Sequence, residues 1–192
     1  MDILKFIQEI KKHLKLSFDE VDGWFGKDRK TLDYQPSNGG WTVRQILEHI
    51  YLTNFYLLIL IEKGSKKTLR NSGGPDLDVE IRDYVFDREK FEEIGKYGAF
   101  EWIRPGHMEP KGAMELHEIR SLISIQHQQC LIYLERMKNG EGLLCKTTMT
   151  VNGLGKINVY EYIYFLSLHT KRHLTQMKNN ESERIRTAGF DI

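Results

Sequence analysis

Apolar residues at Ile3, Phe6, Ile7, Ile10, Leu14, Leu16, Phe18, Val21 and Trp24 recur mostly at steps of three and four. That spacing gathers them into one stripe of an amphipathic helix of about six turns, which Gly26 ends. The polar run DRKTLDYQPSNGG then reads as a connector. A second helix is signalled by Thr42 and Gln45, spaced as a reciprocal capping box, with Trp41 and Ile46 placed as its hydrophobic staple. Val43, Ile46, Leu47, Ile50, Tyr51, Asn54 and Leu57 carry its pattern to Lys63-Gly64, and His49 falls on the edge of that face. Residues 64–114 break the rhythm. KGSKKTLRNSGGP is loop-like, Asp78 to Tyr97 has room for one or two short helices, and EWIRPGHMEPKG is extended because Pro105 and Pro110 bar a continuous helix. A third helix spans about Ala113 to Lys138 on Leu116, Ile119, Ile123, Cys130, Leu134 and Met137. LLCKTTMTVNGLGKI alternates weakly around Asn152-Gly153, the signature of a short β-hairpin. Asn158 and Glu161 form a second capping box, stapled by Ile157 and Tyr162, and the helix they open runs through YIYFLSLHTKRHLTQM before fraying at Lys178-Asn179-Asn180.

The expected fold is therefore all-α: a four-helix bundle over residues 1–178, with a tail over 179–192. The long connection between the second and third helices is a crossover that lets those two run in the same direction.

Composition narrows the function classes. The chain has 192 residues, 40% apolar and 29% charged, with 28 basic against 27 acidic side chains and a net charge of +1. Such a balance speaks against nucleic-acid binding, which needs a basic surplus to displace counterions. The longest apolar run, Phe55 to Ile61, stops at Glu62 and Lys63, too short for a membrane span. The charged N-terminus lacks the apolar block of a secretory signal. Cys130 and Cys145 lie in no metal-binding or redox spacing and read as packing residues in a reduced, cytoplasmic protein.

Candidate chemistry rests on histidines. His169 and His173 stand four apart in LHTKRH, so a helix places both imidazoles on one side, one turn apart, within reach of one ion. Two partly exposed histidines bonded to water are the commoner meaning of that spacing. His49 alters the balance, because a bundle can bring the second helix beside the fourth. Three imidazoles and an open coordination position suit a catalytic zinc-type site, and nickel, copper and iron also accept imidazole. Gln176 and Glu48 are candidates for orienting the ligands, while Lys171 and Arg172 read as the solvated side of the helix or, alternatively, as attractors of an anionic cofactor. His127 shares a face with Ile123, Cys130 and Leu134 and is read as a hydrogen-bonded core histidine or a fourth ligand. His107 is a substrate-contact candidate on the crossover, and His13 and His117 read as solvated.

The segments GGWTVRQILEHI, WIRPGHMEPKG and YIYFLSLHTKRHLTQM, in this order, resemble the DinB-like superfamily of damage-inducible four-helix bundles. The resemblance implies an up-down-down-up bundle, commonly a homodimer. It also implies a zinc or nickel ion held by one histidine of helix two and two of helix four, matching His49, His169 and His173. Relatives include S-transferases dependent on a low-molecular-weight thiol (bacillithiol, mycothiol or glutathione) and a maleylpyruvate isomerase. The expected function is thus a metal-dependent thiol S-transferase, or a hydrolase of the same site, acting on a small-molecule substrate. A non-catalytic metal- or ligand-binding module is the first alternative, and a purely structural bundle the second.

Overall fold

The computed structural model describes residues 2–70, 76–102 and 105–188. The first helix, α1 (Ile3–Trp24), begins where Asp2 accepts from the Leu4 and Lys5 amides, and it buries the predicted stripe from Ile3 to Trp24. Leu16 departs from that stripe and is exposed. One turn of helix, α2 (Arg29–Leu32), lies within the expected connector and is capped by Asp28.

The long α3 (Val43–Arg70) opens on the predicted box: Gln45 N donates to Thr42 Oγ1 at 3.2 Å, and Thr42 N donates to Gln45 Oε1 at 3.0 Å. It does not stop at Lys63-Gly64. Gly64 is buried inside the helix, and a Cβ there would lie 2.8 Å from Val159 Cγ2. That glycine serves close helix packing, not termination. Residues 71–75 and 103–104, at the end of the expected loop and within the extended stretch, lie outside the described residues. Between them are two short helices, α4 (Asp76–Asp83) and α5 (Arg88–Ile94), and a 3₁₀ turn follows at Gly106–Met108. The third long helix, α6, is Leu116–Arg136.

A two-stranded antiparallel sheet then forms from β1 (Lys146–Met149) and β2 (Gly155–Asn158), in register from Lys146↔Asn158 to Met149↔Gly155. Its turn is longer than two residues. Asn152, Gly153 and Gly155 all take positive φ, which is where small or flexible-backbone residues are favoured. Asn158 closes β2 and caps the next helix, its amide donating to Glu161 Oε2 at 2.7 Å while Glu161 N donates to Asn158 Oδ1 at 3.1 Å.

That helix, α7, runs Val159–Ala188 and does not fray at Lys178. Asn180 is buried and donates Nδ2 to Trp41 O at 2.8 Å; Glu183 accepts from Ser37 N at 2.8 Å and from Tyr34 OH at 3.1 Å. The asparagines lower helix propensity, but these contacts to the α2–α3 connector hold the extra turns.

Contacts give the relative directions of the long helices. Gln126 Nε2 donates to Tyr51 O, and Thr68 Oγ1 meets Met137 Sδ, so α3 and α6 run the same way. Glu20 pairs with Lys178 while Phe6 meets Tyr164, so α1 and α7 also run together. Lys11–Glu135 and Asp22–Arg120 make α1 and α6 antiparallel. His49 beside His173 at one end, with Gly64 beside Val159 at the other, does the same for α3 and α7. Among the described residues no helix is long and apolar enough to cross a membrane.

Candidate metal centre

Three helical residues from two distant segments meet where α3 and α7 cross. Ring nitrogens of His49, His169 and His173 all lie within 4.8 Å of one another, and each residue is buried. Regular helix geometry positions two of them: four residues apart on α7, His169 and His173 bring their Nε2 atoms to 3.1 Å. Position 49 falls seven residues into α3, on the side facing α7, with ring centroids 5.2 and 4.8 Å from the other two.

Hydrogen bonds orient the rings. His49 Nδ1 lies 2.7 Å from Met108 O. A carbonyl only accepts, so Nδ1 carries the proton, and in the neutral ring Nε2 is the nitrogen with the lone pair. His173 Nδ1 lies 2.9 Å from Gln176 Oε1, which sets the same tautomer. His173 Nε2 then accepts from His169 Nε2–H. His169 Nδ1 is buried without a hydrogen-bond partner, so among the described residues the bond to His173 Nε2 is the one contact that holds the proton on Nε2 of that ring. Shifting it to Nδ1 would leave lone pairs on all three Nε2 atoms. The His169 pKa is driven well below its ordinary value, first by burial and then by the neighbouring His173, His49 and Arg172, so the ring is neutral near pH 7.

This donor set fits a divalent transition metal. It has three imidazoles and no thiolate, a combination accepted by zinc, nickel, copper and iron. Nitrogens at zinc-type bond lengths stand roughly 3.3 Å apart in a tetrahedron, close to the His169–His173 spacing.

The cluster opens onto a cavity of about 370 Å³. Its walls come from several elements. Trp41 lies against His49 at 4.7 Å, and Trp102 against His169 at 5.5 Å. Phe165 is on α7, and Met149, Thr150 and Val151 come from the hairpin end. Arg172 also lines it, its guanidinium 4.7 Å from the Trp102 ring centre and 5.3 Å from that of Tyr97. The solvated reading of Arg172 is therefore corrected: the connector after α5 folds over it, whereas Lys171 is exposed.

A match to the DinB superfamily model spans residues 26–177, from the end of α1 to Met177 of α7. The chain belongs to the DinB superfamily. Comparison with curated proteins and with solved structures gives no match. Within this DinB-superfamily chain, the remaining candidates sort by position. Gln176 does bond a clustered histidine, but Glu48 does not; its carboxylate accepts from the Gly112 amide at 2.6 Å and the Lys111 amide at 3.3 Å, tying down the crossover. His127 stacks on Phe18 at 4.8 Å in the groove between α1 and α6, away from the cluster, so it is not a fourth member. His107 is exposed and packs edge-on against Tyr56. His117 is exposed, and half-buried His13 sits beside Glu9 and Tyr164. Both cysteines are buried and free, and burial alone pushes the Cys130 thiol up to about 12. Sequence reasoning missed Met108, because a main-chain carbonyl leaves no mark in a sequence. It also missed Trp102 as a wall, although WIRPGHM carried a signal in placing a large aromatic on an otherwise irregular stretch.

Proposed function

We propose that this DinB-superfamily protein is a metal-dependent enzyme in which His49, His169 and His173 ligate one zinc or nickel ion and an electrophilic small molecule is attacked by a thiol or by water. The observation that carries this reading is the placement of the three imidazoles on the wall of an open cavity and not inside sealed packing. A bound divalent ion would supply Lewis acidity and stabilise an anionic nucleophile at neutral pH. The protein's own contribution is orientation: Met108 O and Gln176 Oε1 fix two rings, while Trp41 and Trp102 restrict water beside them. A purely sequestering site closed by a fourth ligand has less support, since His127 faces another groove. The frame is read as an up-down-down-up bundle of α1, α3, α6 and α7, on the helix contacts above, and we take the working unit to be a homodimer.

The test is elemental analysis of protein purified without a histidine tag, followed by turnover assays. Monobromobimane consumption would be followed with bacillithiol, mycothiol and glutathione, and p-nitrophenyl ester hydrolysis without a thiol. Metal near one ion per chain, together with turnover that chelation abolishes and metal restores, is expected. Loaded protein that is inert towards every thiol and ester would sink the enzymatic reading and leave a metal-binding protein.

A further inference from the structure

The charge inventory of the cavity is lopsided. Among the described residues its lining contains one permanently charged side chain, Arg172, and no aspartate, glutamate or lysine. Arg172 is half-buried, its Nε is sealed from solvent without a hydrogen-bond partner, and among the described residues no carboxylate pairs with it. The aromatic faces of Trp102 and Tyr97 hold the guanidinium from the side. Those contacts fix its position but cannot satisfy its N–H donors, since a ring face accepts only weakly. A half-desolvated guanidinium with a buried, unused Nε–H is costly unless something completes it, and its planar fork matches a carboxylate, sulfonate or phosphate. Trp102 ties this charge to the histidines, with Arg172 over its ring and His169 5.5 Å from the ring centre. In the same cavity, Phe165 and Met149 supply apolar wall, with Phe165 6.1 Å from the Trp102 ring.

We infer that the cavity is selective for monoanionic small molecules with an apolar or aromatic body, whose anionic group is received by the Arg172 guanidinium while the body lies against Trp102, Phe165 and Met149. Arg172 is thus a specificity determinant for the substrate or thiol of the function proposed above, and the inference rests on that reading only for what happens after binding. Hydrogen bonds to a charged pair in a partly desolvated site contribute strongly, so replacing the anion by its neutral isostere should weaken binding at least tenfold.

The probe pair is 3-phenylpropionate and 3-phenylpropionamide, which share a body and differ in charge. Binding is followed by tryptophan fluorescence in both metal-free and zinc-loaded protein. The metal-free arm matters because a carboxylate could otherwise be captured by the ion itself. Metal-free wild type should bind the acid at least tenfold more tightly than the amide. Arg172→Gln should bring the two within about twofold, and Arg172→Lys should keep part of the preference, because a lysine offers the charge without the fork. Equal binding of acid and amide by the metal-free wild type would overturn the inference, as would an unchanged preference in folded Arg172→Gln. The two readings fail separately. Anion preference in a protein that takes up no metal leaves this inference standing and removes the enzymatic one. Metal-dependent turnover with no anion preference does the reverse.

Discussion

Two histidine-bearing pockets sit in one molecule and differ in kind. In the groove between α1 and α6, His127 stacks on Phe18, its Nε2 is buried without a partner, and burial lowers its pKa. At the α3–α7 crossing, His169 likewise has an orphaned ring nitrogen and a pKa lowered by burial. Each ring thus has an orphaned nitrogen and a depressed pKa, although His169 is fully buried and His127 only half-buried. What separates them further is company: His169 has two further imidazoles within 4.8 Å, each with a partner on its far nitrogen, whereas the other ligand-type groups lining the α1–α6 groove are Asp19 and Asp22, not imidazoles. A desolvated imidazole is thus a packing event, and convergence with preset lone pairs makes a candidate site.

The largest break in that contrast should come from changing His169 and His173 together to alanine. Metal content should fall to background, along with the stabilisation by added zinc, about 2.7 kcal/mol at a hundredfold excess over the dissociation constant. Thermal unfolding with and without zinc reads this directly, and a variant that keeps its metal would show that the cluster is not the binding site. Gln176→Ala comes next. It frees the His173 ring without removing a ligand, and affinity should drop about tenfold or more, as for other losses of a ligand's hydrogen-bond partner. A competition titration against a chromophoric chelator measures it.

Acidification acts on both pockets. Folded His169 and His127 have depressed pKa values, while the unfolded chain takes up protons near 6.5. The unfolded state therefore binds more protons between those depressed values and about 6.5, so metal-free stability is complete above that range and declines as pH falls through it. Urea melts between pH 7.5 and 5 should show midpoints dropping on the acid side, with a weaker dependence in His127→Gln. A flat profile in the wild type would contradict the desolvation described for both rings. The smallest effect is expected from His127→Phe, which keeps the stack on Phe18 and removes an unpartnered polar atom. Stability should change by about 1 kcal/mol or less, with metal content unaltered.

Local chemistry was the readable part of this chain. Thr42 with Gln45 and Asn158 with Glu161 announce two helix starts, and both boxes form as spaced. The step from His169 to His173 needs only helix periodicity. The misread positions depended on distant partners. Gly64 looked like a stop and is a close-approach point against Val159; Asn180 looked like a fraying end and is anchored on Trp41 O. Arg172 is one residue from the inward face and was read as solvated, until a connector some seventy positions earlier in the chain covers it with Trp102 and Tyr97. That His49 would face the α7 pair depended on the relative placement of two helices, which its own neighbours do not encode.

Consecutive residues of α3 grip the two ends of one short ribbon: His49 through Met108 O, and Glu48 through the Lys111 and Gly112 amides. The imidazole cannot swivel without slackening that ribbon, and the ribbon cannot lift without releasing the ring. Insertions or deletions between Met108 and Gly112 would therefore retune the candidate metal site as surely as substitutions inside it, which makes this strap an adjustment screw for the buried histidine cluster.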